Sequence, residues 1–192
     1  MTFLDRLRRP RSTAPFPVAA QLDQLAQLGV QLAPGVTLRH VLAEPGDQQW
    51  AEQRRFGLLT LLSVTDEDGP VLTVPGVVCI DLEGAEDDDS YPHIVRLLAR
   101  AARRERDLSE VSSRFDSEAA DCRVEYTVSG RTYTEEPEVR DDWIDGMAVG
   151  YIAEKLTPDG LECAWWIDDN GTWCTWLPPR PAEQLMRLMQ DQ

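Results

Sequence analysis

The stretch from Leu161 to Leu177, LECAWWIDDNGTWCTWL, constrains the chain more than any other. Asn170-Gly171 is a type I′ hairpin signal, because both residues tolerate positive φ and that turn matches the twist of two flanking strands. A two-residue loop there sets Asp169 against Thr172, Ile167 against Cys174 and Trp165 against Trp176, since opposed positions in an antiparallel pair sum to a constant. One face of the predicted hairpin then carries Cys163, Trp165, Ile167, Cys174 and Trp176, all apolar. The other carries Ala164, Trp166, Trp173 and Leu177 among Glu162, Asp168 and Thr175, so it is half apolar. Such a face needs a cover, either a helix of this chain or a partner.

The rest of the chain supplies further elements of both kinds. Val18 to Leu28 has apolar residues at helical spacing, and Gly29 is a natural terminator. Pro34-Gly35 marks a turn, Thr37 can cap a short helix, and Asp47 is a further cap candidate. The apolar run at 56–62 reads equally as helix or buried strand, and Asp66 to Gly69 reads as a turn. Val77 to Leu82 predicts a buried strand leading into the acids Glu83, Glu86, Asp87, Asp88 and Asp89. Ser90-Tyr91-Pro92 then opens a helix expected to reach about Arg106, with acids before its start and arginines at its end, as the helix dipole favours. Cys122 to Val128 alternates and turns at Ser129-Gly130 into a second hairpin. Asp141 to Asp145 starts a helix in which Ile144, Ala148, Ile152 and Leu156 recur at every fourth position beside Trp143, Met147 and Tyr151. Pro178 to Pro181 ends the Trp-rich hairpin and opens a C-terminal helix. The reading is one α+β domain over 18–192, an antiparallel sheet of four to six strands with helices mainly on one face. A flexible basic, Pro-rich arm at 1–17 precedes it.

Charge narrows the partners. Thirty-four acidic against nineteen basic residues give a net charge of −15, which disfavours nucleic acid because phosphates would be repelled. The arm carries four arginines and one aspartate, net +3, so the remainder is more acidic still, at −18. Eighteen of the nineteen basic residues are arginine, a bias expected of a GC-rich genome. No apolar run is long enough to span a bilayer and no signal-peptide core is visible, which leads to the expectation of a cytoplasmic protein. Cys79, Cys122, Cys163 and Cys174 lack C-x-x-C spacing and sit in apolar runs, the pattern of reduced core cysteines.

No catalytic motif stands out. His40 and His93 are the only histidines, and neither lies in a nucleophile or zinc spacing. No Gly-rich phosphate cradle follows a strand, and no cofactor is expected. Asp81, Glu83 and Asp87 are the best candidates for a carboxylate metal site, as in a hydrolase, but their spacing matches no EF-hand. A basic protein partner suits the composition better. Its expected contacts are Glu86, Asp87, Asp88 and Asp89, then Glu135, Glu136, Asp141, Asp142 and Asp145, with Trp166 and Trp173 as aromatic anchors. The other alternative is a chaperone-like or self-associating module, a homodimer closed over the half-apolar sheet face.

Two stretches, Leu28-Gly29-Val30-Gln31-Leu32-Ala33-Pro34-Gly35-Val36-Thr37 and Asp141-Asp142-Trp143-Ile144-Asp145, resemble a group of bacterial cytosolic α+β proteins. The order of strand, acidic helix start and hairpin between them is also similar, so the likeness spans roughly 18–190. Members look like the small acidic immunity proteins that accompany secreted bacterial toxins. The resemblance implies an immunity- or inhibitor-like binding role and brings no active site with it.

Overall fold

The computed structural model describes residues 16–42, 45–53, 74–83, 87–116, 118–140, 143–167 and 171–190, apart from the side chains of Trp50 and Gln190. The basic arm up to Pro15, the apolar run at 56–62, the turn at 66–69, Glu86, Asp141, Asp142 and Asn170 lie outside them. In chain order the elements are α1 (Val18–Gln27), α2 (Leu38–Val41), α3 (Asp47–Glu52), β1 (Val77–Asp81) and α4 (Ser90–Ala101). They continue with β2 (Leu108–Asp116), β3 (Asp121–Val128), β4 (Arg131–Glu135), α5 (Gly146–Lys155), β5 (Glu162–Ile167), β6 (Gly171–Leu177) and α6 (Pro179–Gln190).

The fold is α+β and its strands are antiparallel, as expected. The six described strands fall into two three-stranded sheets, β1-β6-β5 and β2-β3-β4. Helices cover both faces of the first sheet rather than mainly one. Val78, Ile80, Cys174 and Trp176 on one face join α4, α5 and the second sheet in the larger core. Val77, Ala164 and Leu177 on the other face join α1 and α6 in a second core. The central strand β6 is therefore buried along its whole length. The cover that the half-apolar face requires comes from this chain's own C-terminal helix.

The Trp-rich hairpin forms, with a register two residues from the expected one. Ile167 opposes Thr172, Trp165 opposes Cys174 and Cys163 opposes Trp176. The physical reason lies in β1, whose last residue Asp81 pairs with Gly171 and so draws that glycine out of the turn and into the strand. Glycine suits the position, because a Cβ there would come within 2.8 Å of the Trp173 ring and 2.9 Å of the Cys79 sulfur. A shift of two keeps every side chain on its expected face. Trp166 and Trp173 are then directly opposed rather than diagonal, and their rings stack at 6.1 Å with an interplanar angle of 6°.

Other elements differ in ways that have local causes. Helix α4 ends at Ala101, five residues short of the expected limit, because Arg103 turns left-handed at φ 58° and the Arg104 amide bonds back to the Ala99 carbonyl. Arg104 then ties three segments together, donating to Asp107 at 2.6 Å, to the Thr157 carbonyl at 3.0 Å and to the Ser129 hydroxyl at 2.9 Å. Strand β2, LSEVSSRFD, has no sequence signal of its own and is made by pairing with β3. Phe16, formally in the arm, belongs to the fold: its amide bonds to the Glu52 carbonyl and its carbonyl accepts from the buried Gln21 amide at 2.8 Å.

Candidate protein-binding surface

Helix α5 is where the sequence pattern divides into two outcomes. Asp145 caps it, accepting from the amides of Met147 at 2.9 Å and Ala148 at 3.3 Å, while its second oxygen accepts from the Glu138 amide at 3.0 Å. The row Ile144, Ala148, Ile152 and Leu156 is buried, and Ile144, Ile152 and Leu156 belong to the larger core. The neighbouring row is not. Trp143 is 38% exposed, Met147 44% and Tyr151 45%, and Ile167 at the end of β5 is 41% exposed beside them. Among the described residues these four are the exposed large apolar side chains, and they form one strip.

Close packing explains why α5 presents that row outward. A Cβ at Gly150 would stand 2.5 Å from the Trp165 ring, and one at Gly146 would stand 2.7 Å from the Thr172 hydroxyl. The two glycines let the helix lie directly on the β5–β6 hairpin. Trp165 lies under the helix at Gly150, edge-on to Tyr151 at 6.2 Å, with its indole N–H donating to Glu154 at 3.0 Å. Trp176 is fixed from below, donating to the Ala153 carbonyl at 3.2 Å. At the other end, Trp143, Met147, Ile167, Leu82 and Glu138 line a cleft of about 280 Å³.

Two acidic stretches meet at this end of the molecule. Asp88 accepts from the Ser113 hydroxyl and the Phe115 amide of β2. Ser113, Val124 and Glu135 form one row across the second sheet, so Glu135 stands two strand spacings, about 10 Å, from that anchor. The Asp145 amide donates to the Tyr91 hydroxyl in the first turn of α4 at 3.0 Å, which joins the 135–145 segment to the same corner. Glu83 bridges to Trp143 nearby.

Not every carboxylate there is free to meet a partner. Asp87 accepts from the amides of Asp89 and Ser90, and Asp145 is committed to its cap. Glu135 is half-buried and accepts from the Tyr126 hydroxyl at 3.2 Å. Asp89 and Glu136 are exposed, as is Glu138, which pairs with Arg140 at 2.7 Å and raises that guanidinium's pKa. Glu86, Asp141 and Asp142 fall outside the described residues. The expected aromatic anchors lie inward: Trp173 is 3% exposed, and Trp166 packs half-buried against the second core. The exposed aromatics are Trp143 and Tyr151, and the sequence signal for them was a second apolar row on a helix able to bury only one.

Burial also shapes the titratable groups. It pushes the Cys122 thiol up to about 11, aided by Asp121 and Asp88, and raises the Tyr91 and Tyr126 hydroxyls. Cys174 is raised by its hydrogen bond with Cys163 and by burial. A second cleft of about 480 Å³ lies between α4 and β2, with His93, Arg96 and Arg100 facing Glu105 and Glu110, so its charge is mixed. Among the described residues no group of three or more His, Cys, Asp or Glu is placed to hold a metal ion.

The fold and this surface together define an acidic α+β protein whose described residues expose one apolar strip near two acidic stretches. No protein-family model, curated protein or solved structure matches the chain.

Proposed function

We propose that the chain is a non-catalytic binding protein that engages a basic protein, in the manner of an immunity or inhibitor protein of the bacterial cytoplasm. The observation that carries this reading is the strip of Trp143, Met147, Tyr151 and Ile167, with Glu138 lining the same cleft as Trp143, Met147 and Ile167. Aromatic and methionine side chains at the centre of a patch supply most of the affinity of a typical interface. Carboxylates at its rim raise the rate of encounter with a cationic partner and reject anionic ones. A net charge of −15 extends that field over the whole molecule. The likeness to acidic immunity proteins in the 28–37 and 141–145 segments points the same way.

The test compares capture of bacterial lysate proteins by the intact chain and by a Trp143→Ser/Met147→Ser variant, eluted with rising salt. The expected result is a protein of high isoelectric point, released at moderate salt and absent from the variant's eluate. Equal retention by both would remove the strip from the interface. A second reading, the self-associating module, loses the sheet face expected for it, which α6 covers, and would have to use the exposed strip instead; light scattering on the free protein separates the two.

A further inference from the structure

Helix α4 packs its apolar side into the larger core, and another row of the same helix meets β2 across the cleft of about 480 Å³. His93, Arg96 and Arg100 share one face of the helix, since residues three and four apart lie above one another. They form a cationic wall. Glu105 and Glu110 line the cleft as its acidic members, and the half-buried Leu97, Leu108 and Val111 give it an apolar lining. All five ionisable side chains are exposed, so solvent reaches the cleft. Its volume falls within the range of small-molecule sites, roughly 300–1,000 Å³.

Two features set this cleft apart from an ordinary solvated face. The first is charge left unpaired. Arg96 and Arg100 repel each other at i and i+4, yet among the described residues neither has an ion pair, although Glu105 and Glu110 line the same cleft. Arg104 nearby shows the usual outcome by closing on Asp107 at 2.6 Å. The second feature is in the backbone. A bulge interrupts β2 between Ser109 and Ser112, and Glu110 within it is left-handed at φ 52°. A glutamate rarely adopts that conformation, which costs free energy and gathers at ligand sites, and bulges re-aim side chains beside such sites. The Glu110 carboxylate accepts from the Thr127 hydroxyl at 3.3 Å, which ties it to β3.

We propose that the cleft between α4 and β2 binds a small zwitterion with an apolar body, the chemistry of a di- or tripeptide of apolar residues with both ends free. Arg96 and Arg100 take its carboxylate, whose geometry a guanidinium matches. Glu105 and Glu110 meet its ammonium group, and its side chains cover Leu97, Leu108 and Val111. A simple anion would gain from the arginines and be repelled by the glutamates, and a simple cation the reverse. The site shares no residue with the α5 strip and does not depend on the binding role proposed above.

The test is amide NMR of the full chain titrated with leucyl-phenylalanine, with its N-acetylated form and with its C-terminal amide. The expected result is that the free dipeptide at millimolar concentration moves the amides of α4 and β2, and that each blocked form binds about tenfold more weakly, as loss of one charge-assisted hydrogen bond implies. Arg96→Gln/Arg100→Gln should weaken the free dipeptide by about the same factor and leave the amide form unchanged. Glu105→Gln should weaken the free dipeptide and leave the acetylated form unchanged. These side chains are exposed, so both variants keep the fold. No shift at millimolar free dipeptide overturns the proposal, as does equal binding of the three peptides, which would show an apolar contact alone. Shifts confined to Trp143, Met147 and Tyr151 would seat the dipeptide on the strip and sink the cleft as its site.

Discussion

Gly150 and Thr172 are the residues at which the packing under α5 is tightest and least forgiving, and they respond to substitution in opposite directions. Adding a methyl at Gly150 places it 2.5 Å from the Trp165 ring, which is held between the helix and the sheet. Gly150→Ala is expected to destabilise the fold by roughly 1–3 kcal/mol despite alanine's better helix propensity, as overpacking does. Urea unfolding measures it, and a variant as stable as the parent would mean that the indole has room to move. The Thr172 hydroxyl, by contrast, is buried without a hydrogen-bond partner among the described residues. An unsatisfied buried hydroxyl costs about 1–3 kcal/mol, so Thr172→Val, which keeps the shape, is expected to raise the melting temperature. A fall would show that the hydroxyl has a bonding role in solution.

At the scale of elements, α4 and β3 share a core built on protonated groups. Tyr91, Cys122 and Tyr126 are all buried there and are held in their neutral forms. An acid whose folded pKa is raised stabilises the fold below its unfolded pKa, and that stability is lost as pH rises through the folded value. For Cys122 the window runs from its ordinary 9.0 to about 11. Melting temperature is therefore expected to hold up to about pH 9 and to fall between there and pH 11. Cys122→Ala should flatten part of that fall, and an unchanged profile would assign the loss to the tyrosines and to Cys174, which is raised likewise.

The same elements show what was legible in the chain. Alternation in Cys122 to Val128 and the Ser129-Gly130 pair, both left-handed in the structure, wrote the β3–β4 hairpin openly. The Ile144 row of α5 and the prolines at the start of α6 were as legible. Strand β2 carried no such mark, because a polar edge strand gains its structure from its neighbour. The hairpin register slipped for a related reason: local turn chemistry favoured Asn170-Gly171, and long-range pairing with β1 claimed Gly171. The candidate surface was half legible. Its acids were plain in sequence, while the choice of which aromatics face outward depended on which helix row the core took.

For the whole molecule, charge and the apolar strip act together. Attraction between the acidic corner and a cationic partner weakens as added salt shortens the Debye length, which is about 8 Å at physiological ionic strength. Association with a captured basic protein is accordingly expected to slow severalfold between low and physiological salt, with dissociation far less affected. Stopped-flow mixing at several salt concentrations reads this, and a salt-independent rate would remove steering from the account. Charge reversal at Asp87 or Asp88 is a poor probe of the same effect, since the Asp87 carboxylate bonds the backbone where α4 begins and the Asp88 carboxylate bonds the Phe115 amide of β2. Asp89 and Glu136 are the better positions. No helix among the described residues is long and apolar enough to cross a membrane.

The seating of α5 on its two glycines has a colloidal consequence. A helix held that closely cannot roll to hide Trp143, Met147 and Tyr151 when the protein is alone. Mutual repulsion between molecules is then what keeps those side chains apart in a crowded solution. The sequence pI is about 4.4, and near that pH the repulsion vanishes. The protein should cloud there well before it unfolds, and replacing Trp143 and Met147 with serine should keep the solution clear.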